Sequence, residues 1–195
     1  MARSKEFERE EVLDRAIDAF ADHGFAGTST ETVLQAMGIS RQSMYDTFGD
    51  KRRLYLEALE RYNAHSIAQI LASLQSAASP LAGIEAALVD FASRPLSVAS
   101  LGCLGVSSIC EFGVSDAEVN AVNLAASKRL TSALDRAVTE GQRSGEIDAG
   151  LKPRATTQFI LAMFSGMKVA ARGGATIATL RDMARMAIRS LRARP

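Results

Sequence analysis

The chain has 195 residues, 47% apolar and 6% aromatic, with mean hydropathy +0.03, which supports a packed core and excludes a disordered chain. Formal net charge is +1, and through Arg53 eight Lys or Arg stand against ten Asp or Glu. Bulk charge therefore marks no nucleic-acid binder, and any basic surface must come from placement. The start MARSKEFEREE has no apolar signal segment, and no apolar run approaches the ~20 residues that span a bilayer. A cytoplasmic protein is expected, with Cys103 and Cys110 reduced.

Ala, Leu, Met, Glu and Arg dominate, and alternating β-branched runs are missing, so every element is expected to be helical. Residues 4 to 23 carry Val12, Ala16, Ile17 and Phe20 at helical spacing, and Gly24 can end that helix. Thr28 and Glu31 suit a capping box for a second helix that Gly38 stops near Met37. Ser40 can cap a third, from Arg41 to about Phe48. Asp50 then caps a long fourth, KRRLYLEALERYNAHSIAQILASLQSAA. Pro80 opens a fifth through Phe91. GCLGVSSICEFG suits a buried sixth, and Ser115 can cap a long seventh with acids in its first turn. Residues 154 to 171 and 175 to 192 complete an all-α chain of nine helices joined by short loops. The functional boundary is placed at residue 50, where three short helices give way to longer ones: residues 1–50 for DNA binding, 51–195 for effector binding and dimerisation.

Two short helices joined by MGIS describe a helix-turn-helix, whose second helix enters the major groove. On that helix Met44 and Phe48 share one side, which Ile39 joins against Phe20, Val33 and Leu34. The other side carries Gln42 and Asp46, flanked by Ser43 and Tyr45. Gln42 can pair with adenine, Asp46 can accept from cytosine, and Ser43 can serve several base edges. Tyr45 and Arg41 suit phosphate oxygens. Asp46 can instead pair with Arg41 or Gln42 along the helix. Thr28 and Thr30 begin the second helix, where free N–H groups favour phosphate. Lys51, with Arg52 and Arg53, concentrates cationic charge beside the turn, and the acids of the first helix can lie on the far side.

The run GFAGTSTETVLQAMGISRQSMYDTFGDKRRLYLEAL, residues 24 to 59, resembles the DNA-binding domain of the TetR (tetracycline-repressor-like) transcriptional regulators. Gly and an aromatic, a Thr pair, Gly-Ile-Ser, Ser-Met-Tyr, Phe, and Asp-Lys before Leu-Tyr match together. The resemblance covers about the first third of the chain. It implies nine helices, the first three for DNA and the rest for ligand and dimer, and it carries Thr28, Ser43, Tyr45 and Lys51 over as DNA contacts. Thr30 stands where the family usually has an apolar residue, and Gln42, Asp46 and Thr47 vary among members, so the operator sequence is left open.

The C-terminal region is read separately. Leu88, Phe91, Leu104, Phe159 and Met163 with Cys103, Ser107, Cys110 and Asn123 are the candidate effector pocket, apolar walls with a few polar groups. The same pattern describes an ordinary bundle core. Cys103 sits at a helix start within GCLGV, which resembles a Gly-Cys-Leu-Leu-Val segment in one branch of the family, so electrophile or oxidant sensing stands beside a buried, inert thiol. An unchanged electrophile response in Cys103→Ser would set the sensor aside. A Cys103–Cys110 disulfide is excluded, because seven helical residues rise ~10.5 Å. Ile177, Leu180, Ala184, Ala187 and Leu191 form a seam on the ninth helix, and Ala155, Phe159, Ala162, Gly166 and Ala170 a close-approach face on the eighth. These suit a homodimer or burial in the same chain.

With two histidines, no H-E-x-x-H, G-x-S-x-G or P-loop, neither catalysis, a metal nor a cofactor is expected. A helical scaffold for a protein partner would leave the Thr, Ser, Tyr and Lys pattern without a purpose. The sequence thus leads to a homodimeric regulator, a repressor, that binds a near-palindromic double-stranded operator and is released by a small-molecule effector.

Overall fold

The computed structural model describes residues 8–93 and 103–193. Among them the regular elements are nine helices: α1 (Arg9–Gly27), α2 (Thr30–Met37), α3 (Arg41–Phe48), α4 (Lys51–Ser76), α5 (Pro80–Ala92), α6 (Leu104–Phe112), α7 (Ala117–Arg143), α8 (Pro153–Arg172) and α9 (Ile177–Leu191). An isolated antiparallel bridge joins Ile147 to Arg192. No helix among the described residues is long and apolar enough to cross a membrane.

The caps explain most boundaries. Ser40 accepts from Ser43 N (3.1 Å), Asp50 from Arg53 N (2.8 Å) and Ser79 from Ala82 N (3.3 Å), with Pro80 in the first turn of α5. Two expected caps move by one residue. Ser29, not Thr28, caps α2 through Thr32 N (3.0 Å), because the Thr28 side chain is turned inward. Asp116, not Ser115, caps α7 through Val119 N (3.0 Å), while the Ser115 hydroxyl donates to Phe112 O (2.7 Å). Gly24 does not end α1 but kinks it, with φ 71° and ψ −179°. The expected start of that helix at residue 4 lies outside the described residues.

The chain divides into two compact units, Met1–Asn63 with Gly102–Asn123, and Ala64–Leu101 with Leu124–Pro195. This departs from the expected division at residue 50. The first unit recruits α6 and the start of α7, because α6 packs on α1 and Leu104 and Val119 join the core of the short helices. α4 and α7 each lend residues to both units.

In the first unit, Val12, Ala16 and Phe20 of α1, Val33 and Met37 of α2, Met44 and Phe48 of α3, and Leu54, Tyr55 and Leu59 of α4 form one core, with Leu34 and Ile39 packed at its edge. Phe20 meets Tyr55 edge-on with centroids 5.1 Å apart. The acids of α1 are balanced by α4. Arg61 holds Asp14 (2.6 Å) and Glu10 (3.3 Å), and Arg9 pairs with Glu57 (2.5 Å).

In the second unit, α5, α8 and α9 enclose Leu81, Ile84, Leu88, Phe91, Ile160, Phe164, Met167, Leu180 and Ile188. The seam expected on α9 for another chain is here: Leu180, Ala184, Ala187 and Leu191 are buried against their own chain. The α8 face keeps Ala155, Phe159 and Ala162 exposed, and the space a Cβ on Gly166 would take is open.

Candidate nucleic-acid interface

Gly38, left-handed at φ 68° and ψ 30°, ends α2 and lets Ile39 and Ser40 turn the chain into α3. Met44 and Phe48 then lock α3 into the core. That burial leaves Arg41, Gln42, Tyr45 and Asp46 on the exposed face, with Ser43 half-buried beside them. Tyr45 is 44% exposed, a large ring held in water by the rotation of its helix. Its hydroxyl is of a type that bonds phosphate oxygens.

The polar groups are partly engaged with one another. Gln42 Nε2 donates to Asp46 Oδ1 (2.8 Å), a pairing one turn apart along the helix. Arg41 pairs with Glu31 of α2. The Ser43 and Ser40 hydroxyls are 2.9 Å apart. Lys51 Nζ lies 4.2 Å over the Phe25 ring, which holds its charge at the start of α4.

Two placements correct the expected interface. Thr28 is fully buried, its hydroxyl donating to Gly24 O (2.6 Å) and lying 3.3 Å from Ala19 O, so it ties the α1–α2 corner instead of reaching DNA. Its neighbour Ser29 is the exposed hydroxyl there. A Ser followed three residues later by the bonded Thr32 was the available signal, and Thr30 is half-buried in the first turn. Arg52 does not add to the basic patch. Its guanidinium holds Asp116 (2.7 Å) and Glu118 (3.0 Å), with its carbon 5.9 Å from the Phe112 ring centre. Lys51 and the exposed Arg53 are cations of this surface, and Arg41 lies there paired with Glu31.

Arg52 holds the Asp116 carboxyl below its ordinary value of 3.8, helped by the Val119 N–H. A carboxyl lowered in the folded state adds stability above its unfolded value, and that stability is lost as pH falls through the folded one. Asp116→Asn keeps the cap but loses the ion pair. Urea midpoints of wild type and variant are expected to differ at pH 7 and to converge in strong acid; an equal gap at both would refute the linkage.

Behind the interface, α6 grips the α1–α2 corner. The Glu111 carboxylate accepts from Phe25 N (2.9 Å) and Ala26 N (2.7 Å), the amides freed by the kink at Gly24. Phe112 packs on Phe25 and Tyr55, with centroids 5.9 and 5.7 Å apart. Burial, then the negative charge of Glu111, push the Tyr55 phenol up. Glu111 had no signal in the sequence, since its partners are backbone amides 85 and 86 residues away.

The nine candidate pocket residues do not line one cavity within either unit. Leu88 is in the second core and Leu104 in the first. Asn123 accepts from Asn63 (3.1 Å) and donates to the buried Ser108 (2.9 Å), a relay inside the first unit. Cys103 caps α6, its Sγ accepting from Val106 N (3.4 Å); Ser107 is half-buried and Cys110 exposed. Phe91 lines a cavity of about 390 Å³ among α4, α5 and α8. Phe159 and Met163 instead line an apolar groove along α8 and α9 with Met183 and Met186.

A helix locked by two core residues behind an exposed polar face, joined by a three-residue turn to a capped partner, defines a helix-turn-helix DNA-binding protein. Residues 12–58 match the family model of bacterial regulatory proteins, tetR family. The chain is 43% identical over 79 residues to the uncharacterised HTH-type transcriptional regulator YezE of Bacillus subtilis, covering 40% of this chain and 41% of that protein. The match thus spans about two fifths of that relative's length. It is 26% identical over 192 residues to the HTH-type transcriptional repressor ComR of Escherichia coli, covering 96% and 90% of the two chains. Among solved structures it is similar to a cysteine-substituted TetR family regulator, CifR, complexed with 26-base-pair operator DNA, with TM-score 0.80, 25% identity and 97% and 100% of the chains covered. These matches support a TetR family regulator, with the family segment at residues 12–58. Its relatives are regulators, not enzymes.

Proposed function

We propose that the protein is a cytoplasmic homodimeric repressor that binds a near-palindromic operator through α3 and releases it when a small molecule occupies its second unit. The observation that carries this reading is the α3 face, where Gln42 and Tyr45 are exposed and Ser43 is half-buried on a helix fixed by Met44 and Phe48, with Lys51 at the start of α4. The printed descriptions of ComR as a repressor and CifR as operator-bound support it. Two such helices on one dimer would enter successive major grooves ~34–36 Å apart. Tyr45→Ala with Lys51→Ala is expected to remove operator retention in a gel shift, and wild-type binding should weaken steeply with salt. Undiminished binding by the double variant would withdraw the site.

The dimer surface is assigned to α8 and α9, where Phe159, Met163, Met183 and Met186 form the apolar groove. Met186, 63% exposed, is a poor surface residue in a monomer. Met186→Glu is expected to give monomers by sedimentation and to abolish tight operator binding; an unchanged dimer moves the interface elsewhere.

Effector control follows from chain continuity. α4 starts with Lys51 and carries Ser66, Gln69, Ile70 and Ser73 into the wall of the 390 Å³ cavity. A ligand preferring one setting of α4 shifts operator affinity, and the operator shifts ligand affinity by the same factor.

A further inference from the structure

We infer that the cavity among α4, α5 and α8 takes a small apolar zwitterion of amino-acid type, with its ammonium on Asp90 and its carboxylate on Lys168; this rests on the reading of the second unit as the effector-binding part. The floor is apolar, made by Ile70, Phe91 and Phe164, all buried. Two opposite charges, Asp90 and Lys168, line the same space. Among the described residues neither is ion-paired, with the other or with any third group. Asp90 Oδ2 accepts only from the Ser73 hydroxyl (2.9 Å), which orients the carboxylate without neutralising it.

The charges select the ligand class. Asp90 lies in the last turn of α5, where carbonyl ends add negative potential and favour a cation. Lys168 favours an anion. A purely cationic or anionic ligand answers one group and leaves the other to solvent, Asp90 being exposed and Lys168 half-buried. A zwitterion answers both and brings no net charge into a partly apolar site. The two aromatic rings suit an apolar side chain, and about 390 Å³ is within the small-molecule range.

The test is calorimetric titration of the full chain with L-phenylalanine, phenethylamine and 3-phenylpropionate, which share a body and differ in charge. Phenylalanine should bind at least about tenfold tighter than either analogue, as expected for one charge-assisted contact. Lys168→Met should shift the preference to phenethylamine and Asp90→Asn to 3-phenylpropionate, a reversal that general destabilisation does not produce. Equal affinity for all three, or unchanged preference in both variants, overturns the inference. Operator retention in a parallel gel shift with none of the three bound overturns it while leaving the DNA-binding reading standing. Amino-acid binding without operator binding does the converse.

Discussion

Gly24→Ala is expected to destabilise the first unit by about 2–4 kcal/mol, more than any single surface change in it. At φ 71° and ψ −179° the residue occupies a region open almost only to glycine, which alone costs about 1–3 kcal/mol for alanine. The added Cβ would stand 2.8 Å from Glu111 Oε2. The carboxylate can swing away, but only by leaving the Phe25 and Ala26 amides. Glu111→Ala should therefore cost about 1 kcal/mol, the hydrogen bonds without the backbone strain. In the double variant the effects should be less than additive, because the clash has lost its partner. Chemical denaturation of the three variants measures this. A cost below about 1 kcal/mol for Gly24→Ala would mean that the kink is not needed. Since the corner leads directly to Thr28 and α2, operator affinity should fall with it.

Gln42→Ala is expected to weaken operator binding by about 1–3 kcal/mol and relax the preference at one base pair, with little effect on nonspecific DNA. Asp46→Ala should act differently. It removes a negative charge near the phosphates, so nonspecific affinity should rise and its salt dependence steepen. It also frees Gln42, now held at 2.8 Å, so the gap between operator and random DNA should narrow. If Asp46 instead reads cytosine, its removal would lower operator affinity as Gln42→Ala does and leave random DNA unchanged. Binding curves on both DNAs at two salt concentrations separate the two roles.

Much of the geometry of the candidate surface was legible because its determinants are local. Caps lie within three residues of the amides they serve, as Ser40 and Asp50 do. The face of α3 follows from the two core residues Met44 and Phe48. Thr28 was misplaced by a single position. A Thr two residues before the helix can cap, touch phosphate or turn inward, and the packing of α1 chose the last. Arg52 was misread because its acids, Asp116 and Glu118, come from a distant helix.

The effector half was less legible for a geometric reason. α8 has two apolar faces, Phe159 with Met163 and Ile160 with Phe164 and Met167, and periodicity does not say which one its own chain covers. The second face is buried and Phe164 lines the cavity, while Phe159 and Met163 face an open groove. The α9 seam was ambiguous in the same way and turned inward.

The sequence by itself determined the helices, the caps at Ser40 and Asp50, the turn at Gly38 and the polar face of α3, all of which depend on residues a few positions apart. Only the tertiary structure decided that α6 belongs with the DNA-binding helices, that Glu111 closes the kink at Gly24, and that Asp90 and Lys168 share one cavity. Those pairings join residues far apart in the chain, and no spacing rule reaches across the loops between them.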